Sequence, residues 1–190
     1  MIYSPINHTD LKASKIILGT DGFGTQMSKD LSFEMLDKFV DMGGNIIDTA
    51  SFYADWMNMG KSMSEKTIGE WLTARKNRDK IIISTKGGHP RLESMDISRL
   101  SRDEIFDDFE HSLINLNTDY IDIYWLHKDD PNIPPERLIE IMNEILDTGK
   151  AKYIAVSNWG YDRIRAANDY AKSNGLKPFI AGQIQYSVGK

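Results

Sequence analysis

The chain has 190 residues, of which 41% are hydrophobic and 27% charged, so a single globular domain with a sizeable core is expected over 1–190. A net charge of −5 at pH 7 argues against nucleic acid or an anionic membrane as the main partner, and the absence of cysteine excludes disulfides, thiolate nucleophiles and cysteine-ligated zinc. The start, Met1-Ile-Tyr-Ser-Pro5, lacks a basic segment followed by an apolar run, and no apolar stretch reaches membrane-spanning length, so a cytoplasmic protein without membrane contact is expected.

The first predicted strand is Ile16-Ile-Leu-Gly19-Thr20. The helix after it carries Leu36, Phe39 and Val40 on one face and stops at Gly43-Gly44. Asn45-Ile-Ile runs to Asp48 as a second strand, and a second helix opens at Ser64-Glu65 with Ile68, Trp71 and Leu72 as its apolar face. Ile81-Ile-Ile-Ser-Thr ends at Lys86. Ser101-Arg-Asp-Glu104 then reads as a capping box for a third helix through Ile105, Phe109 and Leu113. Tyr120 to Leu126 ends at His127, and Pro134-Pro135-Glu136 starts a fourth helix with Leu138, Ile141, Met142 and Ile145, ended by Gly149. Tyr153-Ile-Ala-Val ends at Ser157-Asn158, a fifth helix spans about Tyr161 to Ser173, and Phe179-Ile-Ala-Gly runs into Gln183.

Six strands thus alternate with five helices at a period of roughly 30 to 40 residues, the signature of repeated βα units. The strands are short and almost wholly apolar, as parallel strands buried on both faces are. Two architectures fit: an open doubly wound sheet, or a (β/α)8 barrel of the TIM type that is incomplete, since eight units need about 250 residues. Side-chain alternation puts Ser84 with Lys86, and Ile121, Ile123 and Trp125 with His127, so the polar strand ends are expected to point the same way as an inward set.

Those strand ends carry the chemistry. Asp48, Lys86, His127, Ser157, Asn158 and Gln183 close successive strands, and in a parallel barrel such ends form the reactive rim. An ammonium near the Tyr53 phenol favours phenolate, a carboxylate holds the ammonium charged, and an imidazole orients or relays a proton. Together they can protonate a carbonyl oxygen as charge develops on it, but none is an electron source, so a reduction needs a hydride donor. Ser157, Asn158 and Gln183 suit a carboxamide, which nicotinamide carries. Taken singly, each group also has a structural reading: Lys86 as a salt-bridge partner, His127 as a core histidine, Asp48-Thr49 as a loop cap, Tyr53 as surface packing. A metal site is not expected, because His89 and His127 sit on separate strands with no close ligand pair.

Over essentially its whole length the chain resembles the aldo-keto reductase family. Gly43-Gly-Asn-Ile-Ile-Asp48-Thr-Ala-Ser-Phe-Tyr53 resembles that family's G-x-n-x-x-D-T-A-x-x-Y signature, Ile83-Ser-Thr-Lys86 its lysine strand and Tyr120 to His127 its histidine strand. Gly19 to Gly24, Gly60 to Glu65, Gly149 to Trp159 and Gln183-Ile-Gln-Tyr186 resemble further family segments. The resemblance implies NADP(H)-dependent reduction of aldehydes or ketones on an incomplete (β/α)8 barrel, with NAD(H) left open. It implies Tyr53 as general acid, Lys86 and Asp48 in support, and His127 orienting the substrate carbonyl. Thr20, Asp21, Asp48, Ser157, Asn158 and Gln183 would then face the cofactor, and Phe23, Trp56 and Trp159 would wall a small-molecule pocket. An unclosed barrel exposes the edges of its first and sixth strands, so self-association or a complementing polypeptide is expected, with weak or no activity for the 190 residues alone. Two other readings accompany this one. One is a non-catalytic, cofactor-sensing or regulatory module on the same fold. The other is a Schiff-base aldolase using Lys86, which the implied pairing with Asp48 disfavours.

Overall fold

The computed structural model describes residues 1–57 and 59–185; Tyr186 of the proposed sixth-strand segment lies outside the described residues. A short antiparallel hairpin comes first, β1 (Tyr3–Pro5) and β2 (Lys12–Ser14). Then β3 (Leu18–Gly19), α1 (Lys29–Asp41), β4 (Ile46–Asp48), α2 (Met63–Arg75), β5 (Ile82–Gly87), α3 (Arg102–Asn115), β6 (Ile121–Leu126), α4 (Pro135–Asp147), β7 (Ala151–Ser157), α5 (Tyr161–Ser173) and β8 (Gly182–Gln183) alternate along the chain.

The six strands β3 to β8 form one parallel sheet in strict sequence order, each hydrogen-bonded to its neighbour in the chain. A doubly wound sheet would reverse its order part-way and carry helices on both faces. Here the order never reverses. The large apolar cluster joins residues of all five helices to strand residues such as Ile47, Ile83, Tyr124, Leu126, Ile154 and Val156. The second cluster, built around Ile46, Ile82, Ile123, Trp125 and Ala155, contains no helical residue. All helices therefore pack on one side, and the opposite face turns inward: this is a curled arc of a (β/α)8 barrel, the first six of its units.

The helix boundaries follow local chemistry. Ser28 and Ser101 cap α1 and α3, accepting from the N–H groups of Leu31 and Glu104. Pro135 stands in the first turn of α4, where its missing N–H costs nothing. Gly43, Gly149 and Gly175 follow α1, α4 and α5 at φ of +87°, +72° and +71°, the left-handed conformation that ends a helix.

Three expectations change. Ile16 and Ile17 are not in the first strand; they lie exposed ahead of β3, because a continuous apolar run marks the approach to a strand as readily as the strand itself. Phe179 is packed in the helix-side cluster and the last strand is only Gly182–Gln183. Ile121 also joins the helix-side cluster, together with its partner Ala151, so the inward set of β6 begins at Ile123. The hairpin was not foreseen. Its residues Ile6, Leu11 and Ala13 pack under the inner cluster, and it is bonded to both sides of the arc. Asn45, just before β4, accepts from Ser14 N–H and donates to Lys12 O, and Tyr153 of β7 donates to Asp10 Oδ1 at 2.7 Å.

Candidate active site

The parallel register brings the C-terminal strand ends together. Gly19 pairs with Asp48, Asp48 with Ser84, Lys86 with Trp125, and Ser157 with Gln183. The β4–β5 pairing continues past the strands, with Thr49 N–H donating to Ser84 O at 2.8 Å and Ser51 N–H to Lys86 O at 3.0 Å. That keeps the loop after β4 against β5. A turn at Ala50–Tyr53, with Ala54 at φ +72°, then doubles the chain back and carries Tyr53 over Lys86.

Lys86 is fully buried, and its ammonium has three hydrogens and three oxygens to receive them. Asp48 Oδ2 lies at 2.6 Å, Thr49 O at 3.0 Å and Tyr53 Oη at 3.0 Å. A buried cation needs this complete set of partners. Asp48 is oriented in turn: Ser84 Oγ donates to its Oδ1 at 2.8 Å, and Trp125 Nε1 donates to Ser84 Oγ at 2.8 Å. Tyr53 Oη spends its acceptor capacity on the ammonium, which leaves the phenolic hydrogen free to be directed at a bound molecule.

His127 follows β6, with its N–H bonded to Gly87 O at 2.8 Å and its ring edge-on to Tyr53 at 5.7 Å between centroids. Burial, with the Lys86 charge adding to it, lowers its pKa to about 2, so the imidazole is neutral. Nδ1 is buried without a partner. A bare acceptor is tolerated in an interior better than a bare N–H, which assigns the proton to Nε2.

The neutral polar groups adjoin this tetrad. Ser157 Oγ donates to Gln183 O at 3.2 Å, and Asn158, at φ +61°, donates from Nδ2 to Ser157 Oγ at 3.1 Å and to His127 O at 3.4 Å. Gln183 Nε2 approaches Asp48 Oδ2 at 3.4 Å, tying the last strand to the carboxylate across 135 residues. Asn158 and Gln183 are exposed and Ser157 is buried beside them, so two carboxamides offer both donors and acceptors at the rim, the complement of a carboxamide. This donor set fits a nicotinamide.

The other expected residues divide. Thr20 is buried, and its hydroxyl donates to Asp48 O at 2.9 Å beside Ser64, so it braces β3 against β4 and α2; Asp21 is exposed. Trp56 is 42% exposed and lines an open cleft. Phe23, at 3%, and Trp159, at 2%, are instead packed in the helix-side cluster. Trp159 donates from Nε1 to Lys128 O at 3.1 Å and meets Phe179 edge-on, so its ring is held away from the mouth by its own bonding. Among the described residues no group of three or more His, Asp or Glu side chains could hold a metal ion. Sequence reading gives no site role to Phe52 and weighs His89 only as a metal ligand, yet their rings stack at 3.7 Å beside His127. The signal for both was adjacency: one precedes Tyr53 and the other follows the Gly87-Gly88 step after Lys86.

Comparison with known proteins agrees with this geometry. The sequence pattern of the Aldo/keto reductase family matches residues 15–189. The chain is 32% identical over 176 residues to an aryl-alcohol dehydrogenase [NADP(+)] of Phanerodontia chrysosporium, covering 88% of this chain and 44% of that one. It is 32% identical over 182 residues to the aldo-keto reductase YhdN of Bacillus subtilis, covering 94% and 53%. The chain therefore spans about half the length of the curated relatives it matches. The thermostable aldo-keto reductase Tm1743, solved with the inhibitor epalrestat, superposes with a TM-score of 0.81 at 27% identity, covering the whole of this chain and 64% of that one.

Proposed function

Because this chain belongs to the aldo/keto reductase family, we propose that Asp48, Tyr53, Lys86 and His127 reduce aldehydes or ketones to alcohols with a nicotinamide cofactor, NADP(H) by preference. The observation that carries the reading is the third hydrogen bond of the buried Lys86, which reaches Oη of the half-buried Tyr53 at 3.0 Å. When bound, the cofactor supplies the hydride that adds to the carbonyl carbon. Ser157, Asn158 and Gln183 would hold its carboxamide, and Thr20 and Asp21 at the end of β3 would lie towards it. His127 donates from Nε2 to the carbonyl oxygen and orients it. Tyr53 gives its phenolic proton to that oxygen as negative charge builds, and the ammonium beside it compensates the phenolate left behind. Asp48 keeps the ammonium charged and aimed. Support for NADP(H) over NAD(H) comes from the named preference of the Phanerodontia relative.

Residues 1–190 are read as a single domain, and the six-strand arc leaves the site open on one side. Turnover by the 190-residue chain alone is accordingly expected to be slow. The test is single-turnover oxidation of NADPH at high protein concentration with an aromatic aldehyde. Tyr53→Phe should slow it by roughly 10²- to 10⁴-fold. Equal rates in the two proteins would sink the assignment.

A further inference from the structure

An unbroken line of rings runs from the tetrad into a neighbouring cleft. Tyr53 meets His127 at 5.7 Å between centroids, His127 meets His89 edge-on at 4.8 Å, His89 stacks on Phe52 at 3.7 Å with a 20° tilt, and Phe52 meets Trp56 at 6.0 Å. Phe52, Trp56 and His89 also line the cleft, which has a volume of about 520 Å³, enough for a small organic molecule. A continuous aromatic wall of this kind matches a flat π-system better than an aliphatic chain.

His89 is fixed in place and in protonation. The backbone around it is anchored from α3: Gly88 N–H donates to Asp108 Oδ2 at 2.8 Å, and Arg99, paired with Asp108, donates to His89 O at 3.2 Å. Its Nδ1 lies 2.7 Å from Pro90 O. A carbonyl only accepts, so Nδ1 carries the hydrogen. Burial, aided by the Lys128 and Arg99 charges, holds the imidazole below the usual histidine range and therefore neutral. Nε2 is left with a lone pair and has no hydrogen-bond partner among the described residues.

We propose that His89 is a specificity-determining residue that selects aromatic carbonyl compounds bearing a ring hydroxyl, the hydroxyl donating to Nε2 while the carbonyl faces Tyr53 and His127. The inference rests on the reductase reading above. The two imidazoles touch edge-on at 4.8 Å between centroids, so a molecule resting against both meets the His89 acceptor beside the His127 donor. Acceptor chemistry makes the preference specific: a methoxy group of similar size has no hydrogen to give and leaves the lone pair unmet.

The experiment compares 3-hydroxybenzaldehyde with 3-methoxybenzaldehyde, with NADPH as reductant. The expected ratio of kcat/KM favours the hydroxy compound by roughly three- to ten-fold. His89→Phe, which keeps a ring in the stack but no acceptor, should bring the ratio near unity, and His89→Gln, which keeps an acceptor, should retain part of it. An unchanged ratio in His89→Phe, or no preference in the unaltered protein, overturns the proposal. A second measurement does not need turnover or a variant. The His89 Nε2 ¹⁵N resonance should move on adding 3-hydroxybenzaldehyde and stay put with the methoxy compound; equal responses to both reject the role. Absence of turnover with any carbonyl would reject the reductase reading, and the nitrogen resonance would still decide the fate of His89.

Discussion

Lys86 is the residue around which the site is tuned, because a buried ammonium with all three hydrogens engaged cannot turn away from Tyr53 without leaving Asp48 or Thr49 unpaired. His127 is the complementary case, a cationic residue type held uncharged. Its folded pKa, about 2, lies far below the ordinary 6.5. The unfolded chain takes up this proton as pH falls through about 6.5, whereas the folded chain does not, so His127 stabilises the fold above that pH and progressively less below it. The expected outcome is that its ring ¹⁵N shifts remain those of a neutral imidazole from about pH 8 to about pH 5, while the thermal midpoint of the protein declines below about pH 6.5. Protonation of His127 within that window would contradict the burial argument. Asp48, Lys86 and His127 were legible in the sequence because each directly ends an apolar run, and Tyr53 because it sits a fixed step beyond Asp48. His89 was not, because its meaning comes from Phe52 and His127 closing on it from other segments. Trp159 misled for the converse reason: an aromatic beside Ser157-Asn158 has two sides available, and its Nε1 bond to Lys128 O commits it to the helix side.

At the scale of elements, β5 is held from outside at alternate residues. Thr85 donates to the buried Glu65 of α2 at 2.6 Å, and a Cβ on Gly87 would run into Tyr124 Oη. Burial raises the pKa of Glu65, and Thr85 and Asn115 are among the groups that partly offset it. Gly69, on the same helix, packs directly on the end of α3; a Cβ there would meet Asn115 O and sit 2.7 Å from the Leu116 carbonyl carbon. Both are backbone atoms and cannot yield. In an exposed helix Gly→Ala would gain about 1 kcal/mol, but overpacking costs about 1 to 3 kcal/mol. Gly69→Ala is therefore expected to lower the urea midpoint with an unchanged m-value, and a raised midpoint would show that the α2–α3 contact is looser than described. All five helices were readable because caps, prolines and glycines are local signals. The hairpin was not, since β1 and β2 carry few apolar residues and their turn passes through His8 at φ +63° with no Asn-Gly or Asp-Gly pair to announce it.

At the scale of the molecule, β3 and β8 are the two edges of the sheet among the described residues. Exposed apolar side chains sit beside each: Ile16 and Ile17 ahead of β3, and Ile184 after β8. Unpaired edges with apolar flanks favour pairing with another chain. Sedimentation of the 190-residue chain should show mass rising with concentration, and Ile17→Lys with Ile184→Lys should reduce it; a monomer at all concentrations would count against edge pairing. The curvature itself was only partly foreseeable, because strand order and helix sidedness are properties of the assembled sheet. The hairpin at the start of the chain bears on that curvature. It is fastened to Asn45 on one flank and to Tyr153 on the other. It therefore acts as a bowstring across the bend, and the opening residues of the chain help to set how far apart Tyr53 and the group Ser157, Asn158 and Gln183 stand at the opposite end.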